Sequence, residues 1–130
     1  MILVDTHVVL WLALEPDKIS RTAKAAVVKT RHSGQGLAIS DITLLEIAMI
    51  VSKGRMKLNA SLETFLAEVE ARFVVLPITG KVCARALDLP DSYPKDPADR
   101  IIAATAQVEG DYLITADNDI QRSKAVRTIW

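Results

Sequence analysis

The chain opens on Ile2-Leu3-Val4, an unbroken apolar run that ends in an acid, Asp5. A strand with one wet face alternates apolar and polar residues. A run without alternation suits a parallel strand buried on both faces. Further short apolar runs follow: Leu37-Ala38-Ile39, Phe73-Val74-Val75-Leu76-Pro77, Tyr112–Thr115 and Val126–Ile129. Helical patterns separate them. Val8–Leu14 is apolar nearly all round, so it should be covered on more than one side. Ser20 is placed to cap a helix through about Thr30, and Ser40 or Asp41 one that runs to about Ser52. Ser61 caps a third, with Leu62, Phe65, Leu66 and Val69 on one face. Two more helices are expected, from about Lys81 to Leu87 and from Pro97 to about Glu109, the second stopped by Gly110. Asp88–Lys95 carries two of the five prolines and reads as a surface loop. Strands alternating with helices specify an α/β class. The expectation is a three-layer α/β/α sandwich around a central, mainly parallel sheet of about five strands, one domain over residues 1–130.

A chain of 130 residues buries enough core to need neither disulfides nor structural zinc. The single cysteine, Cys83, cannot pair internally, which suits a reducing compartment. Within Val82-Cys83-Ala84-Arg85-Ala86-Leu87 it reads as a small buried apolar residue. Met1–Asp5 lacks a basic segment and meets an acid too early for a signal peptide. No apolar run approaches the roughly 18 residues that span a bilayer. A soluble cytoplasmic protein without membrane attachment is expected.

Four acids stand in apolar sequence. Asp5 closes the first run, and Glu46 lies between Leu45 and Ile47 with Ile42 and Ile50 a turn away. Asp99 opens Arg100-Ile101-Ile102-Ala103-Ala104, and Asp117 follows Leu113-Ile114-Thr115-Ala116. Burying an ionised carboxylate is costly unless it is paired or bound to a metal. Apart from Arg100, no Lys or Arg lies beside these acids in apolar sequence, so the set points to a hard divalent cation with oxygen ligands. The net charge is zero, with 16 bases and 16 acids; with these four set aside, the rest of the surface is mildly basic and suits a polyanion.

Position supports the grouping. In open α/β sheets ligands bind at the carboxyl ends of strands. Asp5 and Asp117 follow the first and fourth strands, Glu46 lies on the second turn after strand two, and Asp99 on the first turn of the helix before strand four. Capping is the competing explanation. Asp96-Pro97-Ala98-Asp99 is a good helix start, with Asp96 as N-cap and Pro97 in the first position. Asp41 also reads as a cap, and Asp117 and Asp119 as turn residues. Glu46, mid-helix among apolar neighbours, resists any such reading.

Four segments in order, Met1–His7, Ser40–Ala48, Asp96–Ala106 and Leu113–Asp117, together with the closing Val126–Trp130, resemble the PIN-domain ribonucleases. The likeness is to VapC-like toxins of bacterial type II toxin–antitoxin pairs and runs essentially the full length. It implies a PIN-like fold and an acidic quartet at Asp5, Glu46, Asp99 and Asp117. Asp119, which precedes the bulky Ile120, is the second candidate for the fourth place. Asp96 would assist, and the hydroxyls of Thr6 and Thr115 would orient carboxylates or waters. The resemblance further implies Mg²⁺ or Mn²⁺ and endonucleolytic cleavage of single-stranded RNA to a 5′-phosphate and a 3′-hydroxyl. A cognate antitoxin protein and a homodimer are the implied partners. Arg100 is expected to pair with a neighbouring carboxylate, or else to meet a backbone phosphate. Lys53-Gly54-Arg55-Met56-Lys57 reads as a solvated helix end, alternatively as part of the RNA path. His7 and His32 read as incidental and Trp11 as core.

Three alternatives differ in chemistry or partner. A receiver-type signalling domain also binds Mg²⁺ at strand ends, but it needs a second acid beside Asp5 and another after strand three, where Leu76-Pro77 stands. A metal-free ribonuclease would have to work with His7 and His32 alone. A PIN nuclease of RNA processing or repair shares the chemistry and differs in partner.

Overall fold

A computed structural model describes residues 1–130. Five strands, β1 (Ile2–Val4), β2 (Leu37–Ser40), β3 (Val74–Leu76), β4 (Tyr112–Ile114) and β5 (Thr128–Ile129), form one sheet in the order β3-β2-β1-β4-β5. All pairings are parallel, and Leu3 lies beside Ala38 on one side and Leu113 on the other.

Seven α-helices flank the sheet: α1 (Thr6–Leu14), α2 (Arg21–His32), α3 (Asp41–Ser52), α4 (Leu62–Arg72), α5 (Gly80–Leu87), α6 (Pro97–Glu109) and α7 (Asn118–Ser123). Successive strand residues point to opposite faces, which explains the uniform apolar runs. Leu3, Ala38 and Leu113 enter one cluster with Ile102, Ala103 and Ala106 of α6. Val4, Ile39 and Ile114 enter another with Val8 and Val9 of α1, Val27 of α2, Ile47 of α3 and Phe65 of α4. Leu3 and Val4 are both fully buried. Each contributes about 1.5–3 kcal/mol of burial, so β1 anchors both halves of the core. The expected three-layer sandwich is the fold observed.

Most caps behave as read, but at α3 the cap is Ser40, whose Oγ accepts from the Ile42 amide at 3.2 Å, and Asp41 is the first helical residue and not a cap. Ser20 Oγ accepts from the Ala23 amide at 3.1 Å and Ser61 Oγ from the Thr64 amide at 3.1 Å. Gly110, at φ 70°, takes the left-handed conformation that ends α6. Other details differ. Helix α1 starts at Thr6 because Asp5 caps it, and α7, unanticipated, starts after Asp117 for the same reason. Strand β5 is shorter than Val126–Ile129, since Val126 is spent in the core and only the Arg127 carbonyl continues the ladder, accepting from Leu113 N. Cys83 is exposed, against expectation. Helix α5 buries a narrow stripe, Val82 and Ala86 against Ala104 of α6, and Cys83 lies one position round from it.

No helix is long and apolar enough to cross a membrane. The strand order has a functional corollary. The chain steps outward from β1 through β2 to β3, then returns to the other side of β1 with β4. That reversal opens a crevice above the carboxyl ends of β1 and β4, the usual ligand position in such sheets.

Candidate active site

Asp5 sits at the reversal. Its amide donates to the Ile114 carbonyl of β4 at 3.0 Å, and its side chain is turned back into the crevice. Oδ1 accepts from the Thr6 amide at 2.8 Å, and Oδ2 accepts from the Thr115 hydroxyl at 2.7 Å. The Thr115 oxygen in turn accepts from the Asp117 amide at 3.1 Å, so it has one role for its proton and another for its lone pair. Burial raises the Asp5 carboxyl above its usual range, while the bonds from Thr115 and Thr6 oppose that shift.

Glu46, half-buried on α3, accepts at Oε1 from the Thr6 hydroxyl at 2.5 Å. The Thr6 proton is thereby committed, so Thr43, 3.1 Å away, must donate to the Thr6 oxygen. This Thr43–Thr6–Glu46 chain ties α3 to the first turn of α1. Burial raises Glu46 as well, against the Thr6 bond and with added repulsion from Asp5 and Asp96.

Helix α6 delivers two acids from its first turn. Asp96 is the N-cap, with Oδ1 accepting from the amides of Ala98 at 2.9 Å and Asp99 at 3.2 Å. Asp99 is half-buried, and its carboxyl is pushed up to about 7 by burial first and then by the charges of Asp5, Asp96, Glu46 and Asp117. The buried Tyr93 hydroxyl donates to the Asp99 carbonyl at 3.0 Å and fixes that turn. Burial first, and then the charges of Asp99, Asp5 and Asp117, hold Tyr93 above its ordinary range.

One oxygen each from Glu46, Asp96 and Asp99 lies within 4.8 Å of the others. Asp5 and Asp117 line the same cleft outside that tight group. Asp96, which reads as a cap in sequence, is therefore both a cap and a member. Asp117 caps α7 through Oδ1, accepting from Asp119 N at 2.8 Å and Ile120 N at 3.1 Å. Asp119 is exposed, is not among the cleft residues, and pairs with Arg122.

Arg100 does not pair with a carboxylate, contrary to expectation. Its guanidinium donates to the carbonyls of Ala86 at 3.2 Å and Tyr93 at 3.3 Å. Ala86 is in the last turn of α5, where carbonyls lack helical partners and attract a cation. Arg100 thus pins α5 and the 88–96 loop to α6. Thr43 and Tyr93 were missed in sequence. Thr43 is legible only afterwards, as a polar residue three positions before Glu46 on an apolar helix, and Tyr93 looked like an ordinary loop aromatic.

None of the ion pairs of the molecule (the Met1 amino group with Asp111, Lys18 with Glu15, Arg122 with Asp119) reaches the cleft acids. Five converging carboxylates with no ion-paired cation among them repel one another, and burial together with that repulsion pushes Asp99 up to about 7. The donor set is all oxygen. It fits a hard divalent cation such as Mg²⁺, which takes one or two carboxylates directly and keeps several waters.

Residues 2–125 match the PIN domain family. The chain is 34% identical over 131 aligned positions to ribonuclease VapC22 of Mycobacterium tuberculosis (strain ATCC 25618 / H37Rv), an alignment that covers 99% of this chain and 98% of that one. Its fold is similar to VapBC2 from Rickettsia felis bound to a DNA fragment from their promoter, with a TM-score of 0.74, 18% identity, and 98% and 97% of the two chains covered. It is also similar to a toxin–antitoxin complex from Klebsiella pneumoniae, with a TM-score of 0.62, 26% identity, and 90% and 87% covered. A receiver domain is thereby excluded, and the acidic crevice at the β1/β4 reversal finds its context: the chain belongs to the PIN domain family.

Proposed function

We propose that residues 1–130 form a single metal-dependent endoribonuclease domain, acting in the cytoplasm on single-stranded RNA as the toxin of a toxin–antitoxin pair. The observation that carries this reading is the convergence of Glu46, Asp96 and Asp99 within 4.8 Å beside the buried Asp5. The similarity to a protein named ribonuclease VapC22 supports the RNA substrate, and the Klebsiella toxin–antitoxin complex supports an antitoxin partner. A homodimer is part of the same proposal.

Asp5 and Asp99 would bind Mg²⁺ or Mn²⁺ most directly, with Glu46, Asp96 and Asp117 engaging through water or a second ion. When bound, the ion offsets negative charge that builds on the phosphate and makes water a better nucleophile. The protein does the remaining work. Thr115 and Thr6 hold the Asp5 oxygens in one orientation, and Thr6 fixes Glu46 Oε1. Glu46 Oε2 is left to accept a proton from the attacking water. That water adds to phosphorus, the P–O3′ bond breaks, and the 3′-oxygen takes up a proton. The products are a 5′-phosphate and a 3′-hydroxyl.

The test is cleavage of total bacterial RNA by wild type, Asp5→Asn and Glu46→Gln with Mg²⁺, Mn²⁺ or EDTA. Cleavage by wild type alone, lost in EDTA, is expected. Full activity in either variant, or in EDTA, defeats the proposed site. Growth arrest on expression, relieved by the product of an adjacent gene, tests the toxin role.

A further inference from the structure

The cleft is larger than an ion and one phosphate require. It encloses about 670 Å³ and continues from the acids along the seam between α1 and α3. His7 and Trp11, four residues apart on α1, share one helix face and form one wall of that extension. Their rings lie 6.1 Å apart, centroid to centroid, and are tilted by 56° so that they form two facets of one wall, and Trp130 supports Trp11 from 5.9 Å. Trp11 is therefore held in place before any ligand arrives. The wall from α3 adds the exposed Met49, then Lys53 and Arg55 where the helix ends. Those two are the only Lys or Arg side chains in the cleft, and neither is in an ion pair. Lys53 lies seven positions beyond Glu46, about 10 Å along a helix.

A fixed aromatic shelf opposite two free cations, with an acidic floor at one end, matches the chemistry of a single nucleic acid strand. Bases stack on aromatic faces with little regard to sequence, and cations track the backbone. Resting on the ribonuclease reading, we propose that the His7–Trp11 shelf stacks a nucleobase next to the scissile phosphate while Lys53 and Arg55 hold a neighbouring backbone phosphate. Trp11 is thus a substrate contact as well as a core residue, and His7 is not incidental. Immobilising one base beside the acids sets the register of the strand. The Trp11 ring is prepositioned by Trp130, so binding orders little of that wall.

The test uses the full chain and a single-stranded RNA oligonucleotide spanning a cleavage site mapped in total bacterial RNA. His7→Leu, Trp11→Leu and the double variant Lys53→Gln/Arg55→Gln are compared with His7→Phe and Trp11→Phe, all checked for an unchanged melting profile. Loss of stacking should raise KM roughly 5- to 50-fold in the leucine variants with kcat within about twofold, and phenylalanine should restore it. An oligonucleotide with one abasic position beside the scissile phosphate should raise KM for wild type but add nothing in Trp11→Leu. The double variant should flatten the dependence of KM on salt. Leucine variants with wild-type KM, or abasic and Trp11→Leu effects that simply multiply, overturn the shelf. Unchanged RNA kinetics with weakened binding of the adjacent-gene protein overturn it in favour of a protein contact. If wild type cleaves no RNA with either metal, the ribonuclease reading fails and takes this inference with it. Wild-type cleavage with indifferent variants removes this inference alone.

Discussion

The Thr115 hydroxyl donates to Asp5 Oδ2 at 2.7 Å, joining residues 110 positions apart across the reversal between β1 and β4. Both are buried, and the bond orients a carboxylate that burial drives toward its neutral form and partly opposes that shift. Thr115→Val keeps the shape of the side chain and removes the donor. It should weaken Mg²⁺ binding and cleavage by about 10- to 100-fold and destabilise the fold by about 1–3 kcal/mol, while Thr115→Ser restores most of both. Isothermal titration with Mg²⁺ and denaturant unfolding measure the two effects. Equal losses in the valine and serine variants would count against a role for the hydroxyl.

Asp99 is the acid whose environment is least favourable to its charge. Only burial and like charges act on its carboxyl, and no bond opposes them. Asp99→Asn removes the repulsion and keeps the volume. In EDTA at pH 8 the variant should melt a few degrees above wild type, and in Mg²⁺ its RNA cleavage should fall at least about 100-fold. Stability gained with activity lost is the signature of a site held against its own electrostatics. A variant that melts lower in EDTA would show that the Asp99 carboxylate stabilises the fold.

The same strain predicts how metal-free protein responds to pH. Asp5, Glu46 and Asp99 all have folded-state values above their unfolded ones, Asp99 at about 7 against 3.8. Between those limits the native state binds more protons than the unfolded chain, so stability falls as pH rises. The contribution is fully present below pH 3.8 and is lost as pH climbs through about 7. Melting temperature in EDTA should therefore decline from pH 5 to pH 8. Saturating Mg²⁺ should flatten or reverse that slope, because it binds the ionised carboxylates. A flat profile in EDTA would mean that burial and mutual repulsion do not raise these carboxyls.

Much of the architecture was legible because it follows from local rules. Uniform apolar runs marked strands covered on both faces, and Ser20, Ser61 and Gly110 marked helix ends by chemistry that acts within a few residues. What stayed hidden depends on geometry between distant segments. Asp96 and Asp99 share a helix end, but nothing local says that Glu46 of α3 arrives within 4.8 Å of both. Thr43 donating to Thr6 joins two helices and has no sequence signature. Arg100 was expected to pair with an acid by charge alone, whereas the end of α5 supplies carbonyl acceptors that only the packed fold brings near. Cys83 was placed inside by residue type, although the buried stripe of α5 is too narrow to include it.

Asp117 and Asp119 lie two residues apart and face different surroundings, which makes the fourth acid testable. Asp117 lines the cleft, contributes to the raised Asp99 carboxyl and caps α7, so replacing it has two consequences. Asp117→Ala should cost about 1 kcal/mol through the lost cap and should also lower cleavage by at least about tenfold. Asp117→Asn, which retains a capping oxygen, should recover the stability but not the activity. Asp119 is exposed, and its partner is Arg122, one turn along the same helix. An exposed pair of this kind contributes at most about 1 kcal/mol. Asp119→Asn should leave cleavage within about twofold of wild type. Paired melts and cleavage assays separate the roles: activity that tracks stability across all three variants would make Asp117 a cap alone, and a severe loss in Asp119→Asn would move the fourth acid to the neighbouring position.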